Sequence, residues 1–115
     1  MGDVTDNTQG WMDLGDGVER RILCQEKALM GVEFQFETDS SGAPHSHPHV
    51  QTTFAASGRF EFTIDGVTTV LETGEALIIP SNVVHSCICL EKGNLIDSFT
   101  PRRDDFMEAH GLPLD

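Results

Sequence analysis

Apolar residues in this chain recur at every second position in short runs, and no segment sustains the 3.6-residue period of an amphipathic helix. In LMGVEFQFE, Met30, Val32, Phe34 and Phe36 share one face while Gly31, Glu33 and Gln35 share the other, the pattern of a strand buried on one side. RFEFTIDGVTTVL repeats it with Phe60, Phe62 and Ile64 inward, and Asp65-Gly66 suits the positive φ angles of a tight hairpin. EALIIP, HSCICLE and NLIDSFT are further β-rich runs, the first two separated by the turn PSNVV. Helix is expected only near the ends, where TPRRDDFM begins a short turn with Thr100 as cap and Pro101 at the first helical position. Short strands punctuated by Gly, Pro, Asp and Asn predict an all-β antiparallel sandwich or jelly roll.

A length of 115 residues allows one domain. It is expected over 19–106, after a loosely structured lead-in over 1–18 that packs along the domain or a partner subunit, and before a tail over 107–115. The net charge of -12 comes from 19 acidic against 7 basic side chains, with no basic stripe. Nucleic acid and anionic membrane surfaces are therefore poor partners, and an anionic ligand would need local positive charge from a metal or an arginine. No basic segment followed by an apolar run marks a signal peptide, and no apolar stretch is long enough for a membrane helix. Cys87 and Cys89 stand two apart, too far along a regular strand for a relaxed disulfide. Three reduced thiols fit a cytoplasmic protein.

The most concentrated chemistry is HSHPHVQ, residues 45–51, which carries three of the five histidines. On a strand, His45, His47, His49 and Gln51 all project to one face. Pro44 and Pro48 put that strand at an edge or a mouth of the sheet. Imidazoles so spaced can converge on one ion about 2.1 Å from each nitrogen. His85, which opens the strand after PSNVV, supplies a further ligand, giving three neutral imidazoles and the Gln51 amide oxygen. The bland alternative is a surface histidine cluster. His49 is read as orienting a ligand, touching substrate, or standing as a partly exposed structural residue, and His110 as a solvated tail residue. In NLIDSFTPRRDDF, Leu95, Asp97 and Phe99 share a face, so an acid points inward if its neighbours do, and a buried carboxylate needs a partner or a job. The reversed phase would leave Asp97 solvated and pack Ile96 instead. Arg102 or Arg103 could grip a substrate carboxylate, or simply pair with Asp104 or Asp105.

The spacing H-x-H, three residues, Gln51, six residues, Gly58 resembles the first cupin motif, with glutamine where many members have glutamate. Gly74, five residues, Pro80, Asn82 and His85 resemble the second. Asn82 replaces a usual glycine, a mild change because asparagine tolerates the left-handed conformation. Cys89 stands where asparagine is usual and Asp39 where glycine is. The pair implies a single-domain cupin, a double-stranded β-helix or jelly-roll barrel, but leaves function open.

From RRILCQEKALM to DSFTPRRDDF, over about Trp11 to Phe106, the chain further resembles the KdgF family of small pectin- and alginate-degradation cupins. The resemblance implies conversion of 4,5-unsaturated uronate monosaccharides, released by lyases, into linear ketonised products. It implies a divalent metal (zinc, nickel, manganese or iron) on His45, His47, Gln51 and His85, with Asp97, Phe99 and Arg103 as acid, aromatic and arginine of the active site. It also implies a homodimer. Val50 departs from the family, where relatives often have glutamate, as does TTFAASG in place of IGYVLSG. The competing readings are a cupin dioxygenase using iron and oxygen, a lyase for another small acid, and a non-catalytic sugar-binding or regulatory cupin.

Overall fold

Alternation decides burial along most of the strands. The computed structural model describes residues 10–114, which form β1 (Met12–Gly15), β2 (Val18–Glu26), β3 (Leu29–Phe36), β4 (Ser41–His45), β5 (Val50–Ala55), β6 (Arg59–Ile64), β7 (Val67–Leu71), β8 (Ala76–Ile79), β9 (His85–Glu91), β10 (Gly93–Thr100) and a short helix α1 (Asp104–Ala109). A six-stranded sheet runs β1-β2-β3-β10-β5-β8 and a four-stranded sheet runs β4-β9-β6-β7. Every pairing is antiparallel. This is the two-sheet, all-β jelly roll that the short punctuated strands predict. β6 and β7 pair in the expected hairpin, with Asp65 and Gly66 both at positive φ.

Buried apolar residues form two clusters, one between the two sheets and one between the six-stranded sheet and α1. One gathers Phe36, Phe60, Phe62, Ile79, Cys89 and Leu95, with Phe36 and Phe60 edge to face at 5.4 Å. Each such buried aromatic is worth roughly 2–3 kcal/mol of transfer free energy. The other places Ile22, Met30, Val32 and Phe99 beneath Phe106 and Met107 of α1. Phe34 touches both clusters, and the site described below lies where they adjoin. Among the described residues, no helix is long and apolar enough to cross a membrane.

Local expectations differ from the fold at several points. Of the lead-in, residues 1–9 lie outside the described residues, and Met12–Gly15 pairs with β2 rather than standing loose. MDLG is too short to show an alternation, which is why it escapes a pattern search. Helix α1 starts at Asp104, not at Pro101, because Thr100 is still paired with Val50 in the β10–β5 ladder. The helix runs on through residues expected to be tail, and Met107 is fully buried with Leu112 and Leu114 packed beside it. His110 is not a solvated tail residue: its Nε2 accepts a hydrogen bond from Arg20 Nε at 3.2 Å.

Candidate metal centre and pocket

HSHPHVQ is not one strand. β4 ends at His45, the chain crosses between the sheets over 46–49, and β5 begins at Val50. Pro48 lies in the unpaired crossing, while Pro44 stands at an irregularity within β4, which pairs again at His45. The convergence expected of a single face is achieved another way. His45 and His85 are cross-strand partners on β4 and β9, past an irregularity in the register after Gly42, and such partners bring their Cβ atoms within about 5 Å. His47 comes from the crossing loop, which is tied down by Asn82 N–H donating to His47 O at 2.8 Å and by the Ser81 hydroxyl donating to Pro48 O at 2.6 Å. Asn82 adopts the left-handed conformation expected of it.

Candidate ligand atoms of His45, His47 and His85 all lie within 4.8 Å of one another. Each ring is held through Nδ1 by a main-chain carbonyl: His45 by Ala43 at 2.8 Å, His47 by His49 at 3.2 Å and His85 by Val83 at 2.9 Å. A proton on Nδ1 leaves the Nε2 lone pair free, the orientation that second-sphere hydrogen bonds give to ligating histidines. Burial, with the charges of Arg103 and His85, holds His47 below the usual imidazole range, and burial does the same to His85. Both are thereby kept in the neutral form that binds metal.

The fit to a cation is sharpest at Gln51. Its Oε1 lies 3.0 Å from His47 Nε2, so a neutral His47 protonated at Nδ1 presents a lone pair to a carbonyl lone pair. Rotating the amide is disfavoured, because Nε2 of Gln51 already donates to Thr53 Oγ1 at 2.9 Å and to Asp97 Oδ2 at 3.1 Å. Two electron-pair donors facing each other call for a positive charge between them. Two ligands at about 2.1 Å from one ion and at right angles around it are themselves about 3.0 Å apart. The residues present therefore fit a bound divalent metal.

Asp97 stands inward, as its phase with Leu95 and Phe99 predicts, and is 5% exposed. Burial pushes its carboxyl up to about 7, against the lowering effects of a Thr53 hydrogen bond and the Arg103 charge. Its Oδ1 is buried with no hydrogen-bond partner. A pocket of about 100 Å³ is lined by His45, Gln51, His85, Asp97, Phe99 and Arg103, with Phe34, Phe62 and Phe106 among its apolar walls. Asp97, Phe99 and Arg103 thus share one cavity with the His45 and His85 imidazoles.

The arginines separate cleanly. Arg102 is turned away, bonded to Asp104, Gln25 and the Leu114 carbonyl. Arg103 lines the pocket with its guanidinium 4.0 Å from the Phe106 ring centroid and 5.0 Å from that of Phe99. Its Nε and Nη2 are taken by the two oxygens of Asp105, at 3.0 and 2.8 Å, so the ordinary ion pair is made. That bond holds the Asp105 carboxyl below the usual range. His49 does not join the three rings: its Nε2 donates to the Arg102 carbonyl at 3.2 Å, fastening the crossing loop to the segment that carries both arginines. Sequence reasoning missed Thr53 and Phe106. Thr53 carried a signal, since it continues the inward phase of Gln51 on β5; Phe106 carried none, because a six-residue helix is too short for a periodicity.

The family model described as the cupin domain matches residues 32–96. The chain is 39% identical over 104 residues to the pectin degradation protein KdgF of Dickeya dadantii, covering 89% of this chain and 94% of that one. A solved KdgF from Halomonas sp. aligns with a TM-score of 0.82 at 34% identity, over 85% of this chain and 93% of that one. An RmlC-like cupin from Shewanella frigidimarina also aligns at 0.82, with 36% identity over 88% and 90% of the two chains.

Proposed function

The chain belongs to the cupin family, in the branch of the pectin degradation protein KdgF, and on that premise we propose that it is an enzyme of pectin or alginate breakdown that converts 4,5-unsaturated uronate monosaccharides to linear ketonised 4-deoxy-5-keto-uronates. The observation that carries the reading is Asp97, a buried carboxyl with one unpaired oxygen, lining the same pocket as the His45 and His85 imidazoles and Arg103. A module that only binds sugar gains nothing from an ionisable group kept from water at such cost.

One divalent ion (zinc, nickel, manganese or iron) held by His45, His47, His85 and Gln51 would polarise a substrate oxygen and offset the negative charge of the uronate. Arg103 would take the substrate carboxylate on the guanidinium edge not used by Asp105. Phe99 and Phe106 would close the apolar side of the cavity against the sugar. Asp97 Oδ1 would deliver a proton to the enol-ether carbon. The bond from ring oxygen to anomeric carbon breaks, the ring oxygen becomes the ketone oxygen, and the anomeric hydroxyl becomes the aldehyde as its proton passes back to the carboxylate. No atom is gained or lost.

The test is to incubate the protein with unsaturated uronate monomers and follow the ultraviolet absorbance of the conjugated double bond. Decay is expected, slowed at least about tenfold by chelator and restored by added metal. An unchanged absorbance with and without chelator would remove the enzymatic reading and leave the sugar-binding module. The same reading puts the protein in the cytoplasm, which three free thiols fit, and gives it a second copy of itself as partner. Sedimentation should report twice the chain mass, and a single-chain mass would rule out the dimer.

A further inference from the structure

Thr53 lies on β5 two residues from Gln51 and directly opposite Asp97 of β10, fully shielded from solvent. A hydroxyl in such a place costs stability unless it is paired. Here it is paired on both sides: Oγ1 accepts from Gln51 Nε2 at 2.9 Å, and its own proton is available to the Asp97 carboxyl. The second hydrogen of Gln51 Nε2 goes to Asp97 Oδ2 at 3.1 Å. Shape alone does not choose between the two ends of a carboxamide; the count of donors and acceptors does. Were the amide reversed, its oxygen would face Asp97 Oδ2, acceptor against acceptor, and Thr53 would have to turn its only proton away from the carboxyl.

We infer that Thr53 is a positioning residue, which locks the Gln51 amide with its oxygen toward His47 and fixes the Asp97 carboxyl through Oδ2, so that Oδ1 is the oxygen left without a partner. One hydroxyl thereby couples the candidate metal centre to the candidate acid. The inference rests on the functional reading above for the role of Asp97, but its effect on Gln51 is measurable without substrate.

Two variants separate the hydroxyl from the bulk of the side chain. Thr53→Val keeps the shape and removes the hydroxyl; Thr53→Ser keeps the hydroxyl and drops the methyl. Chelator-treated protein titrated calorimetrically with zinc chloride should bind zinc about tenfold more weakly in Thr53→Val, and within about threefold of the parent in Thr53→Ser. With unsaturated uronate, Thr53→Val should lose kcat with little change in KM. If Thr53→Val does not fold, Thr53→Ala removes the hydroxyl together with the methyl, and Thr53→Ser then serves as its control for the loss of the methyl. Parental zinc affinity in the hydroxyl-free variants, or an equal loss in Thr53→Ser, would overturn the inference. If no uronate is turned over even by the parent, yet the zinc pattern appears, the positioning of Gln51 stands and the reaction assignment falls.

Discussion

Asp97→Asn is expected to reduce turnover of unsaturated uronate by about 10²–10⁴-fold while zinc affinity stays near the parental value. The substitution changes one atom type and almost no volume. The carboxamide can still accept the Gln51 Nε2 bond through its oxygen, so the arrangement of Gln51 and the three imidazoles is retained. What is lost is a group that can give and take a proton from the unpaired position. The same variant should melt at a higher temperature in metal-free protein at neutral pH. Burial raises the Asp97 carboxyl from 3.8 to about 7. The folded state therefore holds a proton that the unfolded state releases, and stability contributed by this site is full below pH 4 and falls as pH rises toward 7. An amide pays no such penalty, so the gain in melting temperature should vanish near pH 4. Activity within tenfold of the parent would remove Asp97 as the proton carrier, and a gain independent of pH would remove the burial argument.

The sheets were legible where alternation was long enough to count. Met30, Val32 and Phe36 are buried as their phase predicts, and the inward phase of Asp97 follows from Leu95 and Phe99 on either side. The metal candidates were legible as a set but not in their arrangement, since period-two reasoning put His45 and Gln51 on one strand when they stand on different sheets. A candidate set can outlast such an error, because a crossing loop and a cross-strand pair bring His45, His47 and His85 together all the same. What the sequence could not disclose depends on register between distant strands. Thr53 meets Asp97 only because β5 and β10 pair in one particular alignment, and a one-residue slip would turn every side chain of β5 to the other face. The charge pairs of Arg102 and Arg103 were legible as alternatives; choosing the arginine in the pocket required the path of the chain after β10.

The strand that leads into that path, β10, is held at its start by two glycines, and Gly93→Ala is expected to be the most damaging single substitution in the fold. A Cβ on Gly93 would run into the Ser57 carbonyl oxygen and stand 2.5 Å from Gly58 Cα. Substitution of the facing glycine is no easier: a Cβ on Gly58 would lie 2.5 Å from Glu91 O and 2.6 Å from Gly93 Cα, at a φ of +79 that disfavours side chains. The obstacles are main-chain atoms, and they cannot yield. Ala56 N–H donates to Asn94 O at 2.9 Å and Asn94 N–H to Ser57 Oγ at 3.0 Å, pinning the two segments together. Relief would have to come from β10 itself, whose first residue is Gly93 and whose register sets Leu95, Asp97 and Phe99. Overpacking of this kind costs about 3 kcal/mol or more, enough to lower the midpoint of thermal unfolding by roughly 10–20 °C. Gly66→Ala is the control, because its Cβ would meet nothing within 4 Å; only its positive φ is penalised, by about 1–2 kcal/mol. Circular dichroism melts of the two variants should differ accordingly, and equal midpoints would mean that the close approach of Gly58 and Gly93 does not hold β10 in place.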